Sequence, residues 1–289
     1  TIYGNFFAST SKKETEQHGV VYTPVEIIDF IIQSVEQLLH ENYDVGFNER
    51  SVKVLDPFAG TGTFITRILE SGLITSNLYE KYKRDLYANE LILLAYYIAS
   101  VNIETTYSNL QKSGKYVSFK GISYTDTLRL NAQYRKEKRH RHEDISFDGN
   151  FKVAHERIRN QRGAHVHVII GNPPYSKGQN IYSDNNPNIE YPEVDNRIKN
   201  TYGEKTKVTA KNSLYDSYVR SLRWASDRIG ESGIIAFITN SSFIRSGTAS
   251  GIRACLGDEF EEIWCYDLRG NQRTQGETSR KEGGKIFGS

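Results

Sequence analysis

Methionine is missing from this 289-residue sequence, even at position 1. A chain of this size normally carries several. The expectation is an internal stretch of a longer polypeptide, or a chain whose modified methionines drop out of the sequence, so that some spacings counted below run short by a residue. Cysteine is scarce as well. Cys255 and Cys265 exclude a disulfide framework and a cysteine-based metal cluster, and they fit a reducing, cytoplasmic compartment of bacterial type. No run approaches the roughly 18 consecutive apolar residues of a membrane-spanning helix. The best stretch, Leu86 to Val101, contains Asn89 and Glu90. Nothing at the N-terminus reads as a signal peptide, so no membrane partner is expected. An excess of one charge sign is also lacking. A formal net charge of +2 permits nucleic-acid binding without demanding it.

What is present suits a folded α/β protein. Hydrophobic residues make up 37% and charged residues 25%, which excludes disorder for most of the chain. The 19 tyrosines can stack on bases, but a Tyr-rich core accounts for them equally well. After a polar lead segment over residues 1–21, Thr23-Pro24 opens a helix with apolar positions at Val25, Ile27, Ile28, Ile31, Ile32 and Val35. SVKVL at 51–55 reads as a strand, followed by DPFAGTG and a helix from about Thr63 to Glu70. Residues 86–89 form a second strand, and a long apolar helix follows from Leu91 to about Ile103. A third strand is predicted over 117–125, a fourth over 165–170, a fifth over 233–239, and another over 263–268. Tyr215 to Ile229 is helical, and 176–212 is a long polar loop. Strands alternating with helices predict an α/β fold with a doubly wound, mostly parallel sheet of the Rossmann-like kind.

Three segments carry chemistry. The first is VLDPFAGTGTF, a strand, an acid and a glycine-rich turn. Gly60 and Gly62 let a ligand approach the backbone, and the following helix presents free N–H groups at its start. Asp56, at the strand end, can orient the turn or accept from an amino group. A tight βα turn with no ligand would use the same glycines. The second is Glu90 at the end of the next strand, where nucleotide-binding folds place an acid that accepts from ribose hydroxyls. It lies 28 residues after Gly62, against a usual separation of about 20. Asn89 competes for that role, and a helix-start glutamate would favour the helix dipole on its own. The third is Asn172-Pro173-Pro174-Tyr175 directly after an apolar strand. Two prolines impose a rigid extended segment. The Asn172 side chain and the Pro173 carbonyl can then both accept from one NH₂ group, and Tyr175 offers a ring for stacking a flat base.

Taken in order, GVVYTP, VLDPFAGTGTF, ANEL, YTDTL, NPPY and GIIAFITNSSF resemble the gamma-class amino-methyltransferases of DNA. The similarity is strongest to the methylase portion of single-polypeptide restriction-modification enzymes, which also carry nuclease, helicase and target-recognition domains. It extends over about residues 15–270. The resemblance implies a class I methyltransferase fold over 1–289, with S-adenosylmethionine as cofactor and double-stranded DNA as partner. It places Tyr22, Thr23 and Pro24 at the cofactor's methionine end. Asp56, Phe58, Ala59, Gly60, Gly62 and Phe64 fall in the main cofactor loop, Glu90 on the ribose, and Asp126 with Leu128 at the cofactor's adenine. Asn172, Pro173, Pro174 and Tyr175 fall at the target adenine. Such families add a final antiparallel strand, a base-stacking aromatic and a recognition domain after the last matched strand, and none is recognisable here.

The implied reaction is direct methyl transfer to the N6 amine of a flipped adenine, with no covalent enzyme intermediate and no metal. Cytosine N4 would use the same geometry, although Asn at 172 favours adenine. A protein-glutamine methyltransferase also carries NPPY, and an inactive DNA-binding or assembly module is the non-enzymatic alternative. The basic run at 135–142 is a solvated loop or a phosphate contact. His165 and His167 share a strand face with no further ligands at metal spacing.

Overall fold

The computed structural model describes residues 23–111, 115–130, 152–175, 191–208 and 212–268. Tyr22 and the basic run at 135–142 lie outside them. The chain divides into two compact units. One comprises Asp29–Pro173 and Ser221–Ile238, and the other Thr1–Ile28, Pro174–Arg220 and Thr239–Ser289.

The longer helices and the strands run in the order α1 (Val25–Tyr43), β1 (Val54–Asp56), α2 (Thr63–Glu70), β2 (Leu86–Glu90), α3 (Leu93–Leu110), β3 (Ile122–Tyr124), α4 (Lys152–Gly163), β4 (Val168–Gly171), α5 (Pro192–Ile198), α6 (Ser217–Ile229), β5 (Ile234–Phe237) and α7 (Ser250–Glu259). The Pro24 carbonyl accepts from the N–H groups of Ile27 and Ile28 and so starts α1. Within α1, Ile28, Ile32, Val35 and Leu39 are buried, one stripe at helical spacing.

The first unit holds the five-stranded sheet, in the order β3-β2-β1-β4-β5. Every pairing is parallel: Val54 sits opposite Leu86 and Val168, Ala88 opposite Ile122, and Val168 opposite Ile234. The expected α/β class with its parallel sheet is therefore what the chain forms. The central strands β1 and β4 are buried at every residue, whereas all four residues of the edge strand β5 are half-buried. This explains why VLD and VIIG read as continuous runs without alternation. The chain lays down β1, β2 and β3 in one direction, then returns to the other side of β1 for β4. The crevice beyond the carboxyl ends of β1 and β4 is thus a topological switch point, where open α/β sheets bind ligands.

The first half of α3 is apolar on its exposed side as well as on its buried side. Ala95, Ile98, Ala99, Ile103 and Tyr107 face the interior, while Leu93, Leu94, Tyr97 and Val101 are exposed. Among the described residues, no helix is long and apolar enough to cross a membrane.

Three expectations need correction. Residues 263–268 form no strand, and Trp264 and Tyr266 are each 73% exposed. A short apolar run such as IWCY specifies a strand only together with a neighbour to pair with, which the run itself does not supply. The polar stretch at 176–212 contains α5, which continues as a wider-wound turn over Lys199–Gly203. Pro192 and two first-turn acids, Glu193 and Asp195, start that helix. Val194, Ile198 and Tyr202 are its buried face, too sparse to outweigh the polar composition. Finally, His165 and His167 precede β4 and do not lie on it; their rings stack at 4.5 Å, and His167 Nδ1 accepts from the Lys53 N–H.

The second unit is held by its own contacts. The Arg220 guanidinium grips Asp195 with two bonds of 2.7 and 2.9 Å and lies over the Tyr191 ring. α7 packs against Lys199–Gly203 through Gly251, where a Cβ would sit 2.0 Å from the Tyr202 carbonyl.

Candidate active site

β1 ends in Asp56, which is completely buried. Its Oδ1 accepts from the Phe58 N–H at 3.0 Å. Its Oδ2 is buried with no hydrogen-bond partner among the described residues. Burial pushes the Asp56 carboxyl up to about 8; the Phe58 N–H works against this, and the nearby Glu90 charge adds to it. On the adjacent strand, a Cβ at Gly171 would lie 2.8 Å from Asp56 Oδ1, so β4 must end in glycine for the carboxylate to fit.

The turn after Asp56 uses its two glycines differently. Both adopt positive φ, +54° at Gly60 and +82° at Gly62. A Cβ on Gly60 would meet nothing within 4 Å, so this residue leaves open space above the turn. A Cβ on Gly62 would press on Ile103 and Ala99 at 3.1–3.2 Å, so this glycine allows α2 to pack close to α3. α2 starts at Gly62 with no side-chain cap and no acid in its first turn. Its first N–H groups and its positive dipole end are therefore directed beyond the sheet. Ala59 and Phe64 are buried.

β2 ends in Glu90, which is largely buried. Oε2 accepts from the Gly60 N–H and Oε1 from the Ile92 N–H, both at 2.7 Å. Burial raises its pKa, while the bonds from the Ile92, Gly60 and Leu91 N–H groups lower it. Each carboxylate oxygen retains a second lone pair for a ligand hydroxyl. Asn89 points the other way, as period-2 strand geometry requires. Its side chain is fully buried and bonded to Gln161 and Thr127.

After β3, Asp126 Oδ1 accepts from the Leu128 N–H at 3.1 Å, capping a single turn over Thr127–Arg129 that buries Leu128. Arg129 lies 3.6 Å from Asp126 Oδ2. Thr127, not anticipated from the sequence, donates to the Pro57 carbonyl at 2.6 Å.

β4 delivers Asn172, half-buried, and Pro173, buried, at the same end of the sheet. Phe58 beyond β1 and Phe237 at the end of β5 bring their rings to 6.3 Å from opposite sides of β4. Phe237 was not singled out in the sequence, although it closes the apolar run of β5. The first unit thus brings together Asp56, Phe58, Ala59, Gly60, Gly62, Phe64, Glu90, Asp126, Leu128, Asn172 and Pro173 at the carboxyl ends of adjacent strands. Thr23, Pro24, Pro174 and Tyr175 belong to the second unit, where all four are half-buried. Burial raises the Tyr175 phenol above its ordinary value, so it stays neutral.

The family description "Eco57I restriction-modification methylase" matches residues 74–272. The nuclease-deletion mutant of the Type ISP restriction-modification enzyme LlaGI, solved with a DNA substrate mimic, is 43% identical with a TM-score of 0.83, covering 93% of this chain and 22% of that one. The DrdV–DNA complex is 40% identical at the same TM-score, covering 96% of this chain and 26% of that chain. The ATP-dependent Type ISP enzyme LlaBIII bound to DNA is 36% identical, again at 0.83, covering 96% and 19%. The chain spans about a quarter or less of the length of these relatives. No curated protein matches it.

Proposed function

Since the chain belongs to the Eco57I restriction-modification methylase family, we propose that it is the methyl-transferring portion of a longer restriction-modification enzyme, acting on the N6 amine of adenine in double-stranded DNA with S-adenosylmethionine as methyl donor. The observation that carries this reading is the row of strand ends. Asp56 and Glu90 end β1 and β2, and Asp126 and Asn172 come just after β3 and β4, on adjacent strands around the switch point.

The residues fit the cofactor. The orphaned Asp56 Oδ2 suits a cationic group, the space over Gly60 suits a ligand lying on the backbone, and the spare lone pairs of Glu90 suit ribose hydroxyls. Asp126 and Leu128 would hold the adenine end. When bound, the cofactor supplies an electrophilic methyl group on a positively charged sulfur. The chain's own work is on the acceptor. An adenine amine is a poor nucleophile because its lone pair is delocalised into the ring. The Asn172 side-chain oxygen and the Pro173 carbonyl accept its two N–H bonds and favour a tetrahedral nitrogen with a directed lone pair. Catalysis then comes from orientation and fixed dipoles. The amine lies inside the duplex, so the base must be flipped out, and Tyr175 supplies a neutral ring for it to stack on.

The test uses the full-length enzyme with tritiated cofactor and duplex DNA, followed by nucleoside analysis. N6-methyladenine is expected. N4-methylcytosine, or label only in protein, would replace this reading with cytosine or glutamine methylation.

A further inference from the structure

Four polar groups form a directed chain beneath the glycine-rich turn. Gln161 Nε2 on α4 donates to Asn89 Oδ1 at 2.9 Å, Asn89 Nδ2 donates to Thr127 Oγ1 at 3.1 Å, and Thr127 Oγ1 donates to the Pro57 carbonyl at 2.6 Å. Asn89, Thr127 and Gln161 are all buried. The direction follows from the donor inventory. A hydroxyl has one proton, and Thr127 can give it to Pro57 only if Asn89 presents its NH₂ toward Thr127. Asn89 does so because the Gln161 NH₂ occupies its carbonyl side.

The same strand end holds the turn at two further points. The Asn89 backbone carbonyl accepts from the Ala59 N–H at 2.9 Å, and Glu90 Oε2 accepts from the Gly60 N–H at 2.7 Å. Pro57 has no N–H, so its carbonyl is its sole backbone handle, and Thr127 is the group that holds it. Residues 57, 59 and 60 are thus fixed from β2 and from the turn after β3. These are the elements that carry the proposed ribose acid and adenine-side residues.

We infer that Thr127, oriented through Asn89 by Gln161, is a positioning residue that preforms the cofactor turn and couples the adenine side of the site to it. The inference rests on the cofactor reading above. A turn held in its bound shape has less ordering entropy to lose on binding, so the effect falls on cofactor affinity.

The experiment is titration of the full-length enzyme with S-adenosylmethionine, combined with steady-state kinetics and thermal melts, for wild type, Thr127→Val and Thr127→Ser. Thr127→Val keeps the shape and removes the hydroxyl. It is expected to weaken cofactor binding about tenfold, to raise the cofactor KM in step, and to leave kcat at saturating cofactor within about twofold. Thr127→Ser restores the hydroxyl and is expected to bind within about twofold of wild type. A Val variant that melts lower but binds as wild type does would reduce Thr127 to a structural role and overturn the inference, as would a Ser variant as weak as Val. Absence of cofactor binding by the wild type would remove the cofactor reading and this inference with it.

Discussion

Replacing Asp56 by Asn should change how the stability of the protein depends on pH, by an amount set by the burial of this one carboxyl. Asp56 is fully buried, its Oδ2 has no partner among the described residues, and its pKa is raised from 3.8 to about 8. Between these two values the unfolded chain has released the proton and the folded chain keeps it. Raising the pH therefore favours unfolding. The contribution is fully present below about pH 4, is lost progressively up to about pH 8, and is constant above that. One proton corresponds to about 1.36 kcal/mol per pH unit, so from pH 5 to pH 7 the wild type should lose about 2.7 kcal/mol that the Asn variant keeps. For a domain of this size that is roughly 5–10 °C in melting temperature. Asn is the right replacement because its Oδ1 can still accept from the Phe58 N–H, leaving a neutral NH₂ in place of Oδ2. Other titrating groups contribute equally to both proteins and cancel in the difference. Thermal melts of both at pH 5, 6, 7 and 8, without cofactor, measure it. Parallel pH profiles would show that Asp56 is ionised in the folded protein and would refute the reasoning. The same carboxyl must ionise to pair with a cationic ligand. Cofactor binding to wild type at pH 7 should therefore release close to one proton, seen by calorimetry in two buffers of different ionisation enthalpy, and the Asn variant should release none.

Gly60→Val should abolish measurable S-adenosylmethionine binding in a calorimetric titration, because the side chain fills the space above the turn; unchanged affinity would remove the turn from the site. Gly62→Ala should act on folding, costing about 2–4 kcal/mol in denaturant melts, from positive φ plus crowding against Ile103 and Ala99 at 3.1–3.2 Å. A cost near zero would mean that α2 and α3 have room to separate. Asn172→Ala should slow methyl transfer in the full-length enzyme at least about a hundredfold while leaving cofactor affinity within about twofold. Retention of most of the rate would show that the amide does not grip the acceptor.

The parts of the fold that were legible in the sequence are those where one local signal suffices. The helix expected at about Thr63 to Glu70 forms there, since a glycine at positive φ starts it and an amphipathic run fills it. β4 was visible because a buried parallel strand reads as an unbroken apolar run, and β2 as a short segment ending in the polar pair Asn89-Glu90. The two glycines of the turn after β1 were visible as a pair, but their division of labour was not. Gly60 faces open space and Gly62 faces α3, and only the packing of Ile103 tells them apart. Gln161 carried no signal at all, because its role depends on a partner 72 positions away. The strand expected at 263–268 failed for a related reason: pairing is a property of two segments, and the pattern describes one.

The electrostatics of the turn explain why β2 ends in an amide followed by an acid and not the reverse. Side chains alternate along the strand, so position 89 faces Gln161 and Thr127 while position 90 faces the Gly60 N–H. An acid at 89 could only accept. It would take the Thr127 proton away from the Pro57 carbonyl and would bury a charge beside a neutral amide. An amide at 90 could still accept from Gly60, but it would bring no negative charge to the ligand side. With the acid at 90, two buried carboxylates, Asp56 and Glu90, stand at the ends of adjacent strands, and the charge of Glu90 helps hold Asp56 protonated. In the proposed complex a cationic ligand would offset the cost of ionising Asp56 beside Glu90 and draw its proton off. Binding then releases a proton, which is easier at higher pH, so saturating cofactor should stabilise the fold more at pH 8 than at pH 6. A melting-temperature gain from cofactor that is the same at both pH values would show that Asp56 takes no part in holding the positive charge.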